Sequence, residues 1–159
     1  MKKRGVRFFV PNAYGDFIWK VLKDIDIIKY HWHIDSDEIY KVIDDEMIDD
    51  NLFNSDRIGS LVLSGIEFKS HIFNHIYYAI FGEFKAFPQH SQISIVNTYE
   101  EFLRSDCEIV LLIVDNIYYD VYCKNKNYLE IIYQNAINNN FENITYIDEN
   151  DGRTRLNVW

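Results

Sequence analysis

The segment that most constrains this chain runs from Cys107 to Val114, where Ile-Val-Leu-Leu-Ile-Val follows Glu108 without a polar interruption. A strand with one face in water alternates apolar and polar residues. A run that does not alternate suits a central strand covered on both faces. This run, Ile109 to Val114, is also the longest fully apolar one, and it is far too short to cross a bilayer.

The rest of the chain reads around that strand. Arg4 to Val10 reads as a first strand, closed by Pro11-Asn12. Tyr14 to Asp24 reads as a helix, with Phe17, Ile18, Val21, Leu22 and Ile25 on one stripe. Tyr30 to Ile34 and Glu38 to Ile43 read as two short strands around Asp35-Ser36-Asp37. The acidic stretch Asp35 to Arg57 is the best candidate for a mobile loop. Ser64 to Asn74 reads as a second helix opened by the S-x-x-E capping box of Ser64 and Glu67. Ile76 to Phe87 is a long strand ending at Pro88. Thr98 and Glu101 repeat the box and open a short helix through Arg104.

Asp115-Asn116 reads as a turn from the central strand into Ile117 to Cys123. Asn127 to Asn139 is the clearest helix, with Leu129, Ile132, Tyr133, Ala136 and Ile137 on one face and an Asn run to stop it. Ile144 to Asp148 and Thr154 to Val158 read as the last strands, joined by a hairpin at Asp151-Gly152. Helices interrupt strands joined by hairpins, which predicts a single α+β domain over residues 1–159. A mostly antiparallel mixed sheet would be packed by about four helices. At 159 residues the chain needs no disulfide or metal in order to fold.

The formal net charge is −9. Phosphate-gripping proteins need the opposite balance, so nucleic acid and anionic membrane are not expected partners, whereas a basic protein is electrostatically easier. The amino-terminal residues are charged but precede no apolar run of signal length. A cytoplasmic location is expected, in which Cys107 and Cys123 stay reduced. With a two-residue turn at Asp115-Asn116, Cys123 opposes Glu108 and the two thiols point to opposite faces; a one-residue change of register would bring them together as a regulatory disulfide, against the plainer reading of two buried thiols.

Candidate sites are few. In an extended His31-Trp32-His33-Ile34-Asp35, the two imidazoles and the carboxylate share one face and are donor types that zinc accepts. They resemble the start of the H-x-H-x-D-H motif of the metallo-β-lactamase fold, but Ser36 stands where its last His is needed. The plainer reading is a strand with a polar outer face. His71 and His75 lie i, i+4, yet Ile72 replaces the Glu of a zinc-protease helix, leaving a solvent-facing pair. Asp44-Asp45-Glu46, Asp49-Asp50 and Asp56 lack the Gly of a calcium loop, and in Asp148 to Gly152 the Gly falls at the wrong offset. Both read as solvated turns. Arg153 and Arg155 share a face and could hold an anion, against the plainer reading that they pair with the chain's own carboxylates. No motif for a cofactor or a catalytic nucleophile is present, so none is expected.

Several phrases resemble an uncharacterised family of small acidic proteins from Gram-positive spore-forming bacteria. They are Lys3-Arg4-Gly5, Val10-Pro11-Asn12 with Tyr14-Gly15, Ile80 to Ala86, Tyr99 to Leu103, Ser105-Asp106-Cys107, Tyr122-Cys123-Lys124 and Arg153 to Trp159. The resemblance covers nearly the whole chain and implies a bacterial cytoplasmic protein of a domain-of-unknown-function family. It carries no activity, cofactor or site residue with it. The leading expectation is a non-enzymatic binding or regulatory module that meets a basic protein through an acidic, Tyr-rich surface. The alternatives are a metal-assisted hydrolase centred on His31, His33 and Asp35, or a homo-oligomer whose aromatic face is its own interface.

Overall fold

In the computed structural model, residues 2–53 and 60–158 are described. Their strands are β1 (Lys3–Phe9), β2 (Tyr30–Ile43), β3 (Glu46–Asn51), β4 (Leu61–Ser64), β5 (Ile76–Pro88), β6 (Ile109–Val114), β7 (Tyr118–Cys123) and β8 (Glu142–Asp148). The helices are α1 (Phe17–Leu22), α2 (Gly65–Asn74), α3 (Tyr99–Arg104) and α4 (Lys126–Asn138), with a turn of 3-10 helix at Ile27–Lys29. The strands form one sheet in the order β3-β2-β5-β6-β7-β1-β8, and β4 pairs the first half of β2. Every ladder is antiparallel. This is an α+β fold of the expected class.

The apolar run of β6 lies in the middle, between β5 and β7. Ile109, Leu111 and Ile113 face a large core with Val6, Phe8, Phe84 and Val121, covered by α1, α2 and α4 through Ile18, Leu22, Phe68, Ile72, Leu129 and Ile132. Val110 and Leu112 face a smaller core with Phe87, Val96, Phe102, Tyr122 and Leu156. The cover on that side is α3 and the carboxy-terminal segment. Among the described residues, no helix is long and apolar enough to cross a membrane.

Local chemistry places the elements. The capping box of α2 forms in full: Ser64 Oγ accepts from Glu67 N, and Ser64 N donates to the Glu67 carboxylate. At α3, Thr98 Oγ1 accepts from Glu101 N, while the Glu101 carboxylate accepts from Asn97 N. Asn125 caps α4 by accepting from Asn127 N and Tyr128 N. The helix stops where Asn140 takes a φ of 57°. Ile137, expected on its buried face, is 45% exposed.

Several expectations are corrected. The stretch read as a mobile loop from Asp35 is, through Asn51, part of a hairpin. β2 runs unbroken through Asp35-Ser36-Asp37 into β3, and Asp44 and Asp45 at φ 53° and 61° make the turn that suits a tight hairpin. Asp56 and Arg57 lie outside the described residues. The loop after β6 has three residues, because Ile117 N returns to Val114 O while Ile117 O accepts from Val10 N. Cys123 therefore faces Ile109 rather than Glu108. Cys123 sits in the larger core and Cys107 in the smaller one, both as free thiols.

The hairpin at Asp151-Gly152 does not form. Asp151 is drawn onto Arg7 at 2.7 Å, and Leu156 is buried in the smaller core. The last residues therefore cross the sheet and bond to residues 97–99, with Tyr99 N donating to Thr154 O and Leu156 N to Asn97 O.

Gly65 marks where α2 meets the 3-10 turn. A Cβ there would lie 2.4 Å from Ile28 Cα and 2.6 Å from Ile27 O, both backbone atoms that cannot rotate away. Gly65→Ala is expected to cost about 3 kcal/mol by overpacking. Urea unfolding of the variant checks this.

Candidate functional site

The second face of the sheet carries the charges. A bulge at Asp35 shifts the β2–β5 register between Ile34 and Ser36. Such extra residues re-aim side chains. Here the carboxylate reaches Lys85 on β5, whose Nζ is 2.9 Å from Asp35 Oδ2 and 2.8 Å from Glu83 Oε2. Lys85 is 0% exposed and Glu83 3%. Both Glu83 oxygens are engaged: Oε1 accepts from Val158 N, and Oε2 also accepts from Asn157 Nδ2. Burial pushes the Asp35 carboxyl up, but the hydrogen bond and charge of Lys85, with His33, outweigh it and hold the group below its ordinary value.

The network continues across the sheet. Asp120 on β7 takes a bidentate fork from Arg7 on β1, at 2.8 and 2.9 Å, and a third bond from Arg153 at 2.9 Å. Arg153 also donates to the carbonyls of Arg155 and Asn157, which fixes the path of the last residues over the sheet. Charged groups this buried persist only when paired and hydrogen-bonded, and these are.

The sequence-flagged residues divide accordingly. His33 and Asp35 come together, with Nε2 and Oδ1 3.1 Å apart. The carboxylate's other oxygen is held by an ammonium, and His31 does not line the cleft they share. Among the described residues, no group of three His, Cys, Asp or Glu is placed to hold a metal ion. Arg153 is committed to Asp120. Arg155 instead opens onto a cleft of about 280 Å³ with His33, Asp35, Glu83, Ile95, Asn97 and Asn157. Two clusters read separately in the sequence thus line one depression. Glu83, Lys85, Asp120 and Arg7 were not foreseen. Their signal was charge at alternate positions inside strands that otherwise read as core.

The remaining candidates hold no such site. His75 Nδ1 lies 2.9 Å from the His71 carbonyl oxygen, and His71 packs its ring edge-on against Phe53. Burial pushes the Cys107 thiol up to about 12, which keeps it in the unreactive thiol form.

Beyond α3 and the carboxy-terminal segment, no described helix covers the same face of the sheet. Ile39, Tyr77 and Ala79 point into the larger core, so Tyr40, Ile76 and Tyr78 point away from it. Met47 and Ile76 both lie opposite Val42. Tyr14 stands edge-on to Tyr78, whose hydroxyl donates to Asn12. Across the sheet, Phe9 packs edge-on against Tyr118. Tyr14, Met47, Ile76 and Tyr118 are each 44–47% exposed. Asn12, Ala13, Tyr14, Met47 and Tyr78 line a broad depression of about 510 Å³. Asp44, Asp45 and Glu46 border this band from the exposed hairpin turn.

Residues 3–157 match the model of a family described as protein of unknown function (DUF2691). The uncharacterized protein YncE of Bacillus subtilis (strain 168) is 47% identical over 156 residues, which are 98% of this chain and 99% of that protein. No solved structure matches the chain. With nearly its full length inside the family model and a near full-length relative in a Gram-positive bacterium, the chain belongs to the DUF2691 family.

Proposed function

We propose that this protein is a cytoplasmic, non-enzymatic binding module that docks a basic protein on the half of its sheet that no described helix covers. The observation behind this reading is the juxtaposition of Tyr14, Met47, Ile76 and Tyr118, all half exposed on one face, with the acidic turn of the β2–β3 hairpin. Tyr supplies large contact area at low entropic cost, and Met adapts its shape to the partner. The carboxylates at the edge, in a chain of net charge −9, steer a cationic partner and leave the centre of the patch free for packing. On the other half, Glu83 with Lys85 and Asp120 with Arg7 and Arg153 already satisfy one another and are not free to act on a substrate.

The test is capture from bacterial lysate on the immobilised chain, beside two variants. Tyr14→Ser with Met47→Ser removes contact area, and Asp44→Lys with Asp45→Lys reverses the rim. A basic protein retained at about 50 mM salt is expected to fall away toward about 500 mM, where screening is nearly complete. Each double variant is expected to lower its retention at least about tenfold. Equal retention by all three proteins would sink the reading. Concentration-dependent sedimentation that both pairs of substitutions abolish would make the occupant a second copy of the chain instead.

A further inference from the structure

We infer that the cleft between β2 and the carboxy-terminal segment binds a small zwitterion of the α-amino-acid type. The carboxylate of the ligand would rest on Arg155 and its ammonium on Asp35.

The inference comes from bonding capacity left over after the internal network is complete. Arg155 carries five N–H donors, and its side chain makes one bond among the described residues, from Nη2 to Asn157 Oδ1 at 3.3 Å. Among those residues no carboxylate lies within ion-pair distance of it. Asn97 accepts at Oδ1 from Asn157 Nδ2, and its side-chain Nδ2 has no partner among the described residues. At this end the cleft offers one positive charge and unused donors.

The other end is the reverse. Asp35 meets His33 and Lys85 with one bond to each oxygen, whereas a carboxylate accepts about four. Its side chain stays 29% exposed. The buried ammonium of Lys85 lies between Asp35 and Glu83, so these three groups together keep one net negative charge. A lone anion would be repelled at this end and a lone cation at the other. A molecule with both charges satisfies both ends.

Preorganisation supports the same reading. Asp35 is aimed by a bulge and clamped by a fully buried lysine, so little ordering is lost on binding. A neutral His33 must carry its proton on Nε2 to donate to Asp35. That leaves Nδ1 as a buried acceptor with no partner. At about 280 Å³ the cleft falls just below the roughly 300 Å³ at which drug-sized sites begin, which restricts the ligand to a small molecule.

The experiment is titration of the isotopically labelled protein with L-serine, acetate and ethylamine, following the side-chain amide resonances of Asn97 and Asn157. Serine is expected to give saturable shifts in the millimolar range, with acetate and ethylamine each at least about tenfold weaker. Arg155→Gln removes an exposed side chain, so it is expected to keep the melting temperature of the native protein and to weaken serine about tenfold. Shifts with acetate equal to those with serine would replace the zwitterion site by a simple anion site and overturn the inference. Absence of saturable shifts with serine, or equal serine binding by Arg155→Gln, also overturns it. None of these readouts depends on the protein-docking face.

Discussion

Replacing Lys85 with Met is expected to cost the fold about 3–5 kcal/mol, the cost of deleting one partner from a buried ion pair. Met preserves most of the volume, so the loss is electrostatic rather than a cavity. Glu83 loses one of the three donors that hold its carboxylate, the only charged one, and Asp35 keeps only His33. A second variant separates charge from packing. Adding Glu83→Gln keeps an oxygen that can accept from Val158 N while removing the stranded charge. The double variant is therefore expected to recover about half of the deficit, giving a non-additive cycle.

The pH response should also invert. In the native chain Asp35 is held below its ordinary value, so its stabilisation is present above that value and lost as pH falls through the folded one. In Lys85→Met the stranded carboxylates are easier to protonate folded than unfolded. The variant's deficit is then expected to shrink as pH falls from about 7 toward about 5, while the native protein gains nothing over that range. Urea unfolding at several pH values reads both effects.

Asn116→Ala is the second large effect. Asn116 is 1% exposed and sits in the β6–β7 turn at a φ of 59°. Its Oδ1 accepts from Ala79 N at 3.0 Å and its Nδ2 donates to Ala13 O at 3.2 Å. One amide thus ties the turn to β5 and to the segment before α1. Alanine leaves two backbone groups unpaired, at about 1–3 kcal/mol each, and places a Cβ in the left-handed region at a further 1–2 kcal/mol or so. The expected sum is about 3–8 kcal/mol. Asn116→Gly loses the bonds without the backbone strain and is expected to be milder by about 1 kcal/mol. Equal losses for Ala and Gly would show that the backbone contributes nothing.

The layout of the larger core was legible because its periodicities are local. The Phe17, Ile18, Val21 and Leu22 stripe is buried, Ser64 and Glu67 do form a reciprocal cap, and the run in β6 is central with cover on both sides. The edge was not legible. β3 reads Glu-Met-Ile-Asp-Asp-Asn, and its turn uses two aspartates where Asn-Gly or Asp-Gly is the usual signal. An edge strand bearing charge looks like a loop because the same charge that discourages pairing with other chains removes the alternation.

The cleft was half legible. Alternation put His33 and Asp35 on one face, but the sequence could not show that residue 85 would fill the place of an ion or that the chain's last residues would fold back over it. Those depend on pairings across 50 and more positions. The same reason hid the failure of the Asp151-Gly152 hairpin, whose local signal was overridden by Arg7 and by the burial of Leu156.

The sheet order has a consequence for biosynthesis. β1 lies between β7 and β8, so both of its hydrogen-bonding edges stay open while more than a hundred further residues are made. Meanwhile β2 to β5 can zip together as soon as they leave the ribosome. A nascent chain thus trails a sticky amino-terminal ribbon, with Val6 and Phe8 exposed, until Tyr118 to Cys123 emerges. Late capture of that ribbon is a slow, entropically costly closure, and it is the stage at which a chaperone would be most useful.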